Sequence, residues 1–301
     1  MKKAQFNFVW MFAIIVGGII LFLAVFGAMK AGGTSRYQSY SETGVSISII
    51  TDSLQAGFSE GSFGKISFQG ETRINNICIF DEEFGKNLIS VSTRSNIGNE
   101  WNSPGGEKTV PNKYIFSSEK SSGEDFYVFS KPFYFPYKVA DLTFLISDNY
   151  CFIDAPDEIS EEIIGLKIPN IEIENCTLPE SIRVCFGSSG DGCDIKVNST
   201  IVEKGSDEMD YVGNLMYAAI FSDKSTYDCN VERLKYRANK IAEEFSQKAD
   251  LMNTRGCNTN MKMWLTSWSG ELIASNTLSS LVGKSNDIEE KNKDELCRVW
   301  R

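Results

Sequence analysis

FYVFSKPFYFPYKVADLTFLISDNYCFI (residues 126–153) is the stretch from which the fold of this chain can be read. Phe126, Tyr127, Phe129, Phe133, Tyr134, Phe135 and Tyr137 make it the densest aromatic run, and Pro132 and Pro136 interrupt it. Proline cannot donate to a central ladder, so the pattern predicts an edge strand and a turn that feed aromatic rings into a core; a ligand platform is the alternative. VADLTFLI and NYCFI then read as two further strands. Toward the N-terminus, KISFQ (65–69), RINNICIF (73–80), LISVST (88–93) and KYIF (113–116) are short β-rich runs separated by Gly, Asn and Asp. Together they predict a mostly antiparallel sheet.

Toward the C-terminus, residues 157–166 read as a short acidic helix, and Cys185 and Cys193 flank GSSGDG as if across a hairpin turn. The last third reads as helical. Ser225-x-x-Asp228 looks like a capping box and Gly256 like a C-cap. Between them, Val231, Leu234, Ala238, Ile241, Phe245 and Met252 recur at heptad-like spacing. The stripe is read as packing internally onto the sheet, with an intermolecular coiled coil as the alternative. A second helix over about 260–282, with Trp264, Leu265, Trp268 and Leu272, folds back as a hairpin, and 287–300 forms a last charged helix.

At the other end, FVWMFAIIVGGIILFLAVFGA (8–28) runs for 21 residues without a charge. As a helix it would cover about 30 Å, the thickness of a bilayer's hydrocarbon. The expected class is therefore α+β: an N-terminal transmembrane helix, a mostly antiparallel β-rich ectodomain and a C-terminal helical hairpin. Residues 1–30 are read as cytoplasmic stub and anchor, 31–60 as juxtamembrane helix or linker, 61–224 as the β-rich disulfide-bonded ectodomain, and 225–301 as the helical region. Lys2 and Lys3 before the apolar run are balanced by Lys30 and Arg36 after it, so the positive-inside count does not orient it. All eight cysteines follow the run, and an even set there fits an oxidising exterior, with the N-terminus cytoplasmic. Ala13, Gly17, Ala24 and Ala28 share one face of the apolar helix, a small-residue stripe of the kind that packs helices in lipid. The expected partners are the lipid bilayer through residues 8–28 and, through that stripe, a homo-oligomer or a membrane protein.

Lys2-Lys3-Ala4-Gln5 directly before the apolar run resembles the class III, prepilin-type signal, which implies cleavage between Ala4 and Gln5 and retention of the apolar helix. Val9 stands where many pilins carry a glutamate. The chain is also similar to single-pass surface proteins of small-genome archaea. That resemblance rests on FSKPFYFPYKVADLTFL (129–145), YCFIDAP (150–156), IRVCFG (182–187), CDI (193–195), and LMYAAIFS (215–222) before Tyr227-x-Cys229. It implies a topology and a use of cysteine, and no chemistry.

Composition excludes much. The chain carries no histidine, which removes Ser-His-Asp hydrolases, Cys-His proteases and His-ligated zinc enzymes. Net charge is −10, and the first 36 residues hold four basic and no acidic residues, so the remainder is more acidic still. Nucleic acid is not an expected partner, because a phosphate-binding face needs clustered Lys and Arg. The candidate disulfides are Cys185 with Cys193 and Cys151 with Cys176. Cys229 and Cys257 lie at opposite ends of the long helix, about 40 Å apart, and cannot pair; Cys78, Cys229, Cys257 and Cys297 remain unassigned. No CxxC pair supports a zinc site. Asp154, Asp157, Glu158, Glu161 and Glu162 could supply glycosidase carboxylates, against a solvated acidic helix start. Asp191 and Asp194 could bind calcium, against an ordinary turn. Asn175 and Asn198 open N-x-Thr sequons. The expected function is a non-enzymatic membrane-anchored surface protein, without cofactor, acting in adhesion, envelope structure or a membrane assembly; an anchored carboxylate-dependent hydrolase and a receptor-type ligand binder are the alternatives.

Overall fold

A computed structural model describes residues 12, 14–28, 63–81, 83–94, 100–187 and 192–301. The first sheet has the order β3-β2-β1-β5-β6-β4, built from β1 (Phe63–Ile79), β2 (Lys86–Thr93), β3 (Lys108–Pro111), β4 (Tyr114–Phe116), β5 (Lys120–Tyr134) and β6 (Lys138–Ile146). Its pairings are antiparallel except β4 with β6. Pro132 lies inside β5, opposite Asp141 of β6. Among the described residues β1 pairs with β5 only as far as Phe129, so there β5 beyond that residue is paired on one side only and Pro132 leaves no ladder bond unmade. The aromatic run does feed the core: Phe126, Phe129, Phe133, Phe135, Tyr137 and Phe144 are buried, and only Tyr134 faces out.

The second sheet has the order β12-β11-β10-β9-β7-β8, built from β7 (Tyr150–Ile153), β8 (Ile171–Ile173), β9 (Ile182–Phe186), β10 (Ile195–Val197), β11 (Ile201–Lys204) and β12 (Asp207–Asp210). Here the antiparallel expectation fails, because β7/β8, β7/β9 and β9/β10 are all parallel. The acidic helix α2 (Asp157–Leu166) is the crossover of a β7-α2-β8 unit, as parallel neighbours require. Cys185 and Cys193 therefore do not flank a hairpin: Cys185 pairs with Lys196 in a parallel register.

The expected transmembrane helix is also corrected. Helix α1 is described over 14–28, about 22 Å of rise, against about 30 Å of hydrocarbon. Among the described residues no helix is long and apolar enough to cross a membrane. Gly17, Ala24 and Ala28 lie exposed on α1, while Ala13, Ala4, Gln5 and the expected 31–60 linker, up to residue 60, fall outside the described residues.

The remaining helices are α3 (Leu215–Phe221), α4 (Lys224–Thr254), α5 (Met261–Ala274) and α6 (Val282–Asp294), with a 3-10 turn at Ser279–Leu281. The α4/α5 hairpin forms as expected, with Gly256 in the left-handed region at φ +83°. The second helix is shorter than predicted: the chain turns extended at Ser275, and the buried Leu278 and Leu281 belong to the turn beyond it. Ser225 is not the cap either. Asp223 precedes the first turn, its Oδ2 accepts Glu119 N–H at 2.8 Å, and Ser225 Oγ donates to Glu119 Oε1 at 2.6 Å. One apolar cluster runs from Tyr114 through Phe144, Phe221 and Trp268 to Val299, so the sheets and the helices share a core.

All eight cysteines are paired: Cys78–Cys229, Cys151–Cys176, Cys185–Cys193 and Cys257–Cys297. The first ties the end of β1 to the first turns of α4; the last closes the C-terminus onto the α4/α5 turn.

Candidate functional site

Helix α4 lines a concavity. Its outward residues Lys224, Asp228, Val231, Glu232 and Lys235 face Glu208 and Asp210 of β12 and residues Asn276–Leu278, enclosing about 440 Å³. Lys224 Nζ donates to Glu208 O at 3.0 Å and pairs with Asp228 at 3.0 Å; Lys235 pairs with Glu232 at 3.0 Å and donates to Ser275 O at 3.0 Å. Asp210 is held from two sides. Its Oδ2 accepts Ser279 N–H at 3.0 Å and its carbonyl accepts the Tyr227 hydroxyl at 2.6 Å. Burial, with the nearby Asp210 and Asp228 carboxylates, drives the Tyr227 phenol far above its ordinary range, so it stays a neutral donor.

A second hollow of about 250 Å³ continues along α4 and shares Glu232 and Lys235 with the first. Phe80, Tyr236, Leu272 and Ile273 make it more apolar, and the rings of Phe80 and Phe84 stand edge-on to Tyr236 at 6.3 and 5.3 Å. The groove thus offers carboxylates, ammonium groups and backbone at one end and aromatic surface at the other. Such a surface can bind a polar chain with an apolar end.

Beneath the groove lies a buried polar seam. Asn76 of β1 and Asn87 of β2 meet Asn230 and Arg233 of α4, all buried. Asn87 Nδ2 donates to Asn76 Oδ1 at 2.8 Å, and Asn76 and Asn230 both donate to Ile115 O, at 3.1 and 3.0 Å. Arg233 donates to Phe84 O at 2.9 Å, Asn87 Oδ1 at 2.6 Å and Asn230 Oδ1 at 2.7 Å, with its guanidinium 4.8 Å from the Tyr114 ring centre. Burial pushes this guanidinium down to about 10, against the pull of Tyr114 and Asp81, so it stays charged at neutral pH. Gly85 makes room for it: at φ +60°, a Cβ there would come 2.4 Å from Ile79 O and 2.9 Å from Arg233 Nε.

At the α3–α4 corner, Lys204 Nζ donates to Ser222 O at 2.8 Å. Burial pushes its ammonium down to about 8, while Asp223 and Asp148 pull the other way.

The acidic set on α2 does not assemble into a catalytic pair. Asp157, Glu158 and Glu161 are exposed; Glu162 alone turns inward, binding the buried Lys131 and the Tyr217 hydroxyl. Asp154 sits at φ +53°, and its N–H donates to Glu174 Oε1 at 3.0 Å. Asp194 accepts Arg183 N–H at 2.8 Å, whereas Asp191 falls outside the described residues. Among the described residues no group of His, Cys, Asp and Glu is arranged to hold a metal ion. Asn175 and Asn198 are both exposed.

The groove and the seam were not anticipated from sequence. One signal was present: Asn230 and Arg233 sit one residue before Val231 and Leu234, the first two positions of the predicted apolar stripe. The stripe is in fact rotated, with Leu234, Ala238, Ala242 and Ala249 buried and Val231, Ile241, Phe245 and Met252 only half-buried. Comparison with family models, with curated proteins and with solved structures returns no match for this chain.

Proposed function

We propose that the chain is a non-enzymatic, membrane-anchored surface protein that works outside the cytoplasm, engaging a partner in adhesion, envelope structure or a membrane assembly. The observation that carries this reading is the complete pairing of eight cysteines, with one bridge closing 151 residues of chain. Reducing compartments keep thiols free, so such a set supports an oxidising one. The acidic surface and the prepilin-like start support the same reading. A receptor-type ligand binder is the second reading, favoured by the groove along α4.

The test is direct. Non-reducing mass mapping of natively purified protein is expected to return the four bridges, and a non-permeant protease added to intact cells is expected to release fragments from 63–301. Eight free thiols, or complete protection from the protease, would refute the external location.

A further inference from the structure

Two asparagines open N-x-Thr sequons, and the fold treats them differently. Asn175-Cys176-Thr177 follows β8 and is held at every position. Asn175 N–H donates to Ile173 O at 2.7 Å, Cys176 is bridged to Cys151, and both the hydroxyl and the N–H of Thr177 are captured by the Glu172 carboxylate. Leu178 N–H adds a third bond to the same carboxylate at 2.9 Å. The Asn175 amide is exposed, but an enzyme that must bend this segment and engage the threonine hydroxyl meets a backbone and a hydroxyl that are already held.

Asn198-Ser199-Thr200 is arranged the opposite way. It forms the exposed turn between β10 and β11. Asn198 N–H donates to Ile201 O at 2.9 Å, while Tyr211 donates its hydroxyl to Asn198 O at 2.6 Å and its N–H to Thr200 O at 2.9 Å. The Asn198 and Thr200 carbonyls therefore point toward Tyr211. The Asn198 amide makes one bond, to Glu203 Oε1 at 2.7 Å, which leaves its second N–H unused. The Thr200 hydroxyl has no hydrogen-bond partner among the described residues.

We infer that Asn198 is a glycan acceptor in the folded protein and that Asn175 is not. The inference rests on the extracytoplasmic reading above, because the donor is a lipid-linked glycosyl diphosphate presented outside the cytoplasm. The bond formed joins Asn198 Nδ2 to the anomeric carbon. The bond broken joins that carbon to the diphosphate, which leaves with the lipid, and the amide proton passes to a base of the transferase. Glu203 presents the amide and the open turn presents the hydroxyl.

The test uses the full chain recovered from the cells that make it, by peptide mass mapping under non-reducing conditions. The peptide bearing Asn198 is expected to carry a hexose-containing addition that Asn198→Gln and Thr200→Ala each abolish, that Thr200→Ser retains, and that Asn175→Gln leaves unchanged. An unmodified Asn198 in protein with all four bridges would overturn this inference and leave the external location standing; free cysteines would overturn both. An addition on Asn175 alone would also overturn it.

Discussion

Helices α3 and α4 leave one corner, Ser222–Asp223, and make opposite kinds of interface. Every residue of α3 is buried, and Phe221 meets Phe129, Phe144, Tyr150 and Phe152 at ring distances of 4.8 to 6.3 Å. Against the first sheet, α4 instead buries Asn230 and Arg233 beside Asn76 and Asn87. The aromatic interface is non-directional, so its strength lies in filled volume. The polar seam is directional: each amide has a place only if its neighbours keep theirs, and so it fixes the rotation of α4 on the sheet.

The largest expected effect tests the aromatic side. Phe221→Ala opens a cavity among four rings, and a loss of about 3–5 kcal/mol is expected by urea unfolding. Phe221→Leu should cost much less, because the volume is mostly kept. The seam should respond differently. Arg233→Met keeps the bulk but leaves Asn87, Asn230 and Phe84 O without their donor, for a loss of about 2–3 kcal/mol. If Arg233→Met were neutral while Phe221→Ala cost its full amount, the seam would be mere filling and the contrast would fail. The smallest effect lies at the shared corner. Folded Lys204 releases its proton near 8, whereas unfolded lysine holds it to about 10.5. Between those values the unfolded chain binds more protons, so stability should rise with pH, by about 1 kcal/mol after allowing for partial exposure. Above pH 10 the buried phenols Tyr150 and Tyr217, held protonated by burial, reverse the slope. Thermal melts from pH 7.5 to 9.5 should show the rise in wild type and its absence in Lys204→Met; equal slopes would mean that this ammonium is well hydrated.

The aromatic side was largely legible in the sequence and the polar side was not. Phe126 to Tyr137 announces a core through density and two prolines, and the strands from Lys65 to Ile153, β3 apart, show themselves as short β-rich runs. The second sheet misleads because β8 and β10 have only three residues each, too short for a pattern that tells parallel from antiparallel. The relation is set by α2, whose helical signal was present and whose crossover role was not. The seam is invisible for another reason. Asn76 reads as one position of the run RINNICIF, and an arginine on a helix reads as surface, so nothing local reveals that Asn76 and Arg233 lie in one network through Asn87. Bridges within one locality, such as Cys185–Cys193, could be inferred from spacing; Cys78–Cys229 joins two elements whose proximity is a property of the whole fold.

That long bridge also decides how the protein bears load. Tension applied between the start of β1 and the C-terminus would pass from Cys78 directly into α4 at Cys229. The 151 residues of sequence separation between them, including the whole second sheet and α3, lie in a closed loop off the force path. Roughly 500 Å of contour length at about 3.4 Å per residue is thereby withheld from extension. Cys257–Cys297 closes off α5 and α6 in the same way, so only the first strand, α4 and the last few residues can be drawn out, and the molecule behaves under pulling as a short tether carrying a shielded body.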